Sequence, residues 1–119
     1  MRQPVLALAL ACSLIGTASA QPQIFYQRYQ AGRAQLDHGQ FAPAAASFQA
    51  ALAAVPPGQA PDPNIYVALG YAQMRLGRVN EANANFSLAQ GQIGRLTPTS
   101  RQQLMANRQV LRQISVFKR

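Results

Sequence analysis

The stretch LDHGQFAPAAASFQAALAAVP, Leu36 to Pro56, decides how the chain folds. Eight of its twenty-one residues are Ala, and its large apolar side chains are only Leu36, Phe41, Phe48 and Leu52. Gly39 divides it, because glycine suits the left-handed position at which a helix stops. Phe41 to Ala54 then reads as a new helix, with Pro43 in its first turn, where the missing N–H is harmless. Ala44 and Ala51 stand seven apart and share one face. A face paved with Ala lets a neighbouring backbone come close. The spacing predicts that Gly32, on the preceding helix, receives that approach and that Phe48 fills the space beside it. The plainer reading is that Ala is merely the best helix former.

An internal repeat argues against the plainer reading. Displaced by thirty-eight residues, the sequence meets itself: Gly32 falls on Gly70, Gln35 on Gln73 and Gly39 on Gly77. Ala44 falls on Ala82, Phe48 on Phe86 and Ala51 on Ala89, while Leu36 meets Met74 and Phe41 meets Val79. Alanines could coincide by chance in two Ala-rich helices, but glycines and phenylalanines in the same register would not readily do so. Each copy reads as two helices. The first has Gln23 to His38 and Phe41 to Ala54; the second has Asn64 to Leu76 and, after Gly77, Val79 to Gln90. Between them VPPGQAPDP, Val55 to Pro63, carries four prolines that forbid a continuous helix.

At these residues the sequence resembles the tetratricopeptide repeat family. Ala31–Gly32, then Gly39, Phe41, Ala44, Phe48, Ala51 and Pro56, follow its pattern of small and aromatic positions. Leu69–Gly70, then Gly77, Val79, Ala82, Phe86 and Ala89, follow it again. Tyr66 stands where the family often has an aromatic; the first copy has Arg28 there, a departure. Gln35 and Gln73 replace a second aromatic, and Gly94 replaces the closing proline. The family's unit spans about thirty-four residues, so the longer period places extra residues in the Pro-rich loop. The resemblance implies an all-α fold: two helix–turn–helix units, about 25–58 and 63–94, stacked as a short right-handed solenoid.

The remainder, 95–119, reads as a basic capping helix. Thr97 can cap it, with Pro98 at the first helical position. Leu104, Leu111 and Ile114 share a face, with Met105 and Val110 beside them, and the stripe would cover an apolar end formed by Val79, Phe86 and Leu88. A stacked-repeat fold needs such a cap. Arg95, Arg101, Arg108, Arg112, Lys118 and Arg119 make the segment cationic, and no acid follows Glu81.

The other end of the chain reads as an export signal. Arg2 supplies a positive start, VLALALACSLI (Val5 to Ile15) an apolar core too short to span a bilayer, and Ala18 and Ala20 the small residues of a cleavage site. Cleavage is expected after Ala20, which places residues 1–20 in the signal and the mature protein in the periplasm or outside the cell. Cys12, the one cysteine, lacks the triplet of a lipoprotein signal, so lipidation there is not expected, and the mature chain has no thiol for a disulfide or a metal. Without Arg2, ten basic residues face Asp37, Asp62 and Glu81, a formal charge of +7.

The inventory leaves little chemistry. One His, His38, adjoins Asp37 at a turn, and neighbours at a helix end do not form an acid–base pair by sequence alone. No paired carboxylates, metal-ligand spacing or phosphate loop occurs; no catalytic residue, metal or cofactor is expected. Binding is the better class. The resemblance implies a concave groove lined by the first helix of each unit: Tyr26, Tyr29, Arg33 and Leu36, then Val67, Tyr71, Met74 and Arg75. Tyr and Arg dominate binding hot spots. The family's carboxylate clamp is not expected, since Tyr29 and Arg33 stand at its positions. The expected function is a non-catalytic adaptor or assembly factor of the bacterial envelope, or of a secretion or pilus-type system. It would grip another protein or peptide, and a homodimer is compatible with that reading. The alternative is a binder of an anionic lipid, polysaccharide or acidic protein through the Arg-rich final helix. Nucleic acid is not an expected partner of an exported chain.

Overall fold

Gly32 and Gly70 set the distances between helices. The structure, a computed structural model, describes residues 23–117. Within them run α1 (23–37), α2 (Phe41–Ala53), α3 (Asn64–Arg75), α4 (Val79–Gln90) and α5 (Pro98–Phe117), with a 3-10 turn at Ile93–Arg95 before α5. No strand occurs among the described residues. The fold is all-α, as expected. The expected signal segment, residues 1–20, and the basic residues Lys118 and Arg119 lie outside the described residues.

Both tight turns are built alike. Gly39 and Gly77 have φ of +72° and +80°. The Gln40 N–H donates to the Gln35 carbonyl (2.8 Å) and the Gly39 N–H to the Leu36 carbonyl (2.9 Å). Thirty-eight residues later, the Arg78 N–H donates to the Gln73 carbonyl (2.8 Å) and the Gly77 N–H to the Met74 carbonyl (3.0 Å). This pair of bonds satisfies carbonyls that a helix end leaves free, and its left-handed residue carries no Cβ penalty only if it is glycine.

The apolar side chains form two clusters that share α3. Phe25, Ala44, Ala45, Phe48 and Ala51 join Ile65, Ala68, Leu69 and Ala72 in the first. Val67, Ala82, Phe86 and Ala89 join Leu96, Leu104 and Leu111 in the second, with Ile114 packed against them. Successive helices therefore bury both sides of α3. The close approach expected at Gly32 is made by Phe48 itself rather than by the alanine face. A Cβ added at Gly32 would stand 2.5 Å from Cε1 of Phe48, and one added at Gly70 would stand 2.5 Å from Cε1 of Phe86. Each ring lies on bare backbone, and Ala44, Ala51, Ala82 and Ala89, all fully buried, leave room for it.

The last helix covers the second cluster. The Ser100 N–H donates to Thr97 Oγ1 (3.1 Å), the expected cap. Leu104 and Leu111 are buried, whereas Met105 and Val110 are exposed. Leu88, expected at the covered end, is 51% exposed and belongs to the surface, because its position on α4 points away from the Ala82–Phe86–Ala89 face.

Candidate functional site

Helices α1, α3 and α5 wall one cavity of about 330 Å³. Arg33, Leu36 and Asp37 come from α1, Asn64, Ala68 and Tyr71 from α3, and Ser100, Gln103 and Asn107 from α5. Apolar Leu36 and Ala68 thus lie among opposite charges, a phenol, a hydroxyl and three amides.

Local bonds fix several of these groups. Asp62, in the Pro-rich loop, accepts from both the backbone N–H (3.0 Å) and the side-chain amide (2.7 Å) of Asn64. Asn64 Oδ1, the side-chain oxygen, in turn accepts from the Thr97 N–H at 3.1 Å. Asn64 therefore ties the start of α3 to the start of α5, which sets the cavity's third wall. Two turns further along α3, the Tyr71 hydroxyl accepts from Arg75 (3.3 Å), whose guanidinium lies 4.7 Å from the centre of the Phe41 ring. Phe41 meets Tyr71 edge to face at 6.0 Å. Arg75 is thus held at the rim by an aromatic face and a phenol, a cation–π arrangement.

Of the residues expected to line the groove, the structure brings Arg33, Leu36 and Tyr71 together, with Arg75 beside them. It does not bring the other four. Val67 is buried in the second cluster, 1% exposed, because that face of α3 receives α4. Met74 packs against the same cluster. Tyr29 is half-buried between Phe25 and Phe48, with ring centres 6.0 and 5.8 Å away. Burial pushes its phenol above the ordinary value of 10.0, with Arg33 opposing the shift. Tyr26 is exposed at a separate depression formed with Val55, Pro56 and Pro61. Arg28, at the position where an aromatic was expected, donates to the Ala50 carbonyl (3.1 Å).

Sequence reasoning missed Asn64, Asp37, Ala68 and the three α5 residues. Asn64 sits in DPN, which reads as a turn and nothing more. Ser100, Gln103 and Asn107 share an i, i+3, i+7 spacing, a polar stripe that could have marked a second inward face.

A polar seam lies beside each glycine–phenylalanine contact. Gln73, 3% exposed, accepts from Asn85 Nδ2 (2.7 Å) and donates to Glu81 Oε2 (3.2 Å). One repeat earlier, Gln35 and the Ser47 hydroxyl lie 2.7 Å apart. No buried side-chain polar atom among the described residues lacks a partner.

His38 Nδ1 lies 2.8 Å from the Ala34 carbonyl oxygen, a local bond at the turn. No group of three metal-ligating side chains occurs among the described residues. Of the basic residues, Arg95, Arg101 and Arg112 are exposed and Arg108 is half-buried. No protein-family model, curated protein or solved structure matches the chain.

Proposed function

We propose that the protein is a non-catalytic adaptor or assembly factor of the bacterial envelope that grips a segment of another protein between α1, α3 and α5. One observation carries the reading: three helices from different parts of the chain converge on a concave wall lined by Arg33, Asp37, Tyr71 and three side-chain amides, groups able to hydrogen-bond a peptide. The amides of Asn64, Gln103 and Asn107 each offer donors and an acceptor, which suits the alternating groups of an extended backbone. Tyr71 and Arg75 supply the side-chain types that anchor interfaces.

The resemblance of the repeats to tetratricopeptide units supports the choice of groove, since α1 and α3 are the first helices of the two pairs. Export rests on Arg2, the Val5–Ile15 core and the cleavage residues Ala18 and Ala20. No described helix is long and apolar enough to cross a membrane.

Site-specific crosslinking in the native host tests the proposal. A photoreactive phenylalanine analogue at Tyr71 or Gln103 should trap a discrete protein partner. The same analogue at Leu88, exposed on α4 and outside the groove lining, should trap none. Equal yields at all three positions, or a partner trapped only at Leu88, would contradict it.

A further inference from the structure

One inward face of α3 recurs in α5 thirty-five residues later. Ile65, Leu69, Ala72 and Leu76 pack into the first cluster, and the same displacement lands on Ser100, Leu104, Asn107 and Leu111, the inward side of α5. In α3 a second face is covered by α4: Gly70 lies under Phe86, and Gln73 is bonded to Asn85. The displacement carries those two positions onto Met105 and Arg108. Among the described residues no helix covers them, and Met105 is 62% exposed. A shallow cleft of about 510 Å³ lies there instead, lined by Gln90 at the end of α4 and by Met105, Arg108, Gln109 and Arg112.

We propose that this cleft docks an acidic amphipathic helix of another protein. The shape argument comes from the molecule's own precedent, since one repeat earlier the corresponding face of α3 is occupied by a helix. A concave cleft between the face of α5 and the end of α4 is filled by a protuberant segment and not by a planar lipid surface. Charge gives the second argument. Arg101, Arg108 and Arg112 recur at helical spacing with Met105 among them, and no acid follows Glu81 to neutralise them. Guanidinium groups pair with carboxylates in a two-pronged geometry that ammonium groups cannot match. A second copy of the chain would set arginine against arginine, which disfavours self-association here. Met105 completes the fit. Standing where Gly70 stands in α3, it blocks a ring from resting on backbone and offers a flexible thioether to an apolar stripe. The occupant therefore carries Asp or Glu flanking a few Leu or Met residues.

A synthetic helical peptide of about twenty residues, with Glu on one face and Leu on the other, serves as probe. The chain contains no Trp, so a single Trp in the peptide reports binding without background. Saturable binding should weaken with added salt. Amide shifts of the ¹⁵N-labelled chain should concentrate at Gln90, Met105, Gln109 and Arg112. The variant R108Q/R112Q, shown folded by circular dichroism, should bind roughly fivefold or more weakly. The shift map on the unaltered chain decides even if that variant unfolds. The proposal is overturned if the peptide does not bind, if shifts fall on Arg33 and Tyr71 instead, or if R108Q/R112Q binds equally well. It is also overturned if vesicles of phosphatidylcholine and phosphatidylglycerol compete the peptide off and occupy the same residues.

Discussion

Two ring-on-glycine contacts set how closely the paired helices approach, and they make sharp demands on single residues. Gly32→Ala would place a methyl group 2.5 Å from the Phe48 ring, and Gly70→Ala the same distance from the Phe86 ring. Each should cost about 1–3 kcal/mol, the range for overpacking a filled core. Urea denaturation measures it. Phe48→Leu should restore part of the loss in Gly32→Ala, because a shorter side chain vacates the space; purely additive losses would mean that the two residues do not interact. Ala44→Leu and Ala82→Leu should cost a similar amount, both alanines being fully buried. Tyr29 adds a dependence on pH. Its folded phenol is held above 10.0, chiefly by burial, so the folded state binds the proton more tightly than the unfolded chain. That contribution is fully present below pH 10 and is lost as pH rises through the folded value. Melts of the unaltered chain should therefore fall more steeply above pH 10 than melts of Tyr29→Phe, and parallel curves would contradict the burial assignment.

At the scale of helices, most boundaries were legible because the punctuation is strong. Gly39 and Gly77 stop helices by needing a left-handed backbone, the four prolines of Val55–Pro63 interrupt, and Thr97–Pro98 starts α5. The repeat of small and aromatic residues also showed which faces are buried. Orientation within a helix was less legible. Val67, Gly70 and Met74 lie on the α4 side of α3, while Tyr71, one residue past Gly70, lies in the cavity. Adjacent residues thus take opposite roles, and only the packing of α4 decides between them. The amides between paired helices were equally hidden. Gln35 and Gln73 read as departures from an aromatic pattern, yet each forms the polar half of a helix pair. Gln73→Leu should leave the Asn85 amide short of a partner beside Glu81 and cost about 1–3 kcal/mol. Chemical denaturation checks it, and an unchanged or raised midpoint would show that water replaces the lost bond.

In the whole molecule, α5 has two structural duties and one outward face. It closes the second cluster with Leu104 and Leu111, supplies Ser100, Gln103 and Asn107 to the cavity, and presents Met105 with its arginines outward. The capping duty was legible from the apolar stripe. Its share in the groove was not, because that depends on the Asn64–Thr97 bond between residues thirty-three positions apart. Full burial of Leu104 and Leu111 contributes about 3–6 kcal/mol before ordering entropy, a large part of the 5–15 kcal/mol typical of a folded domain. Without α5 the Phe86 side of the stack and the cavity would both stand open. The direct measurement is a comparison of residues 21–119 with residues 21–94 by circular dichroism melting and sedimentation velocity. The longer chain should melt cooperatively as a single species. The shorter one should lose its cooperative transition, or associate to cover Phe86 and Leu96's vacated neighbours; a cooperative, monomeric melt from residues 21–94 would contradict the central place given to α5.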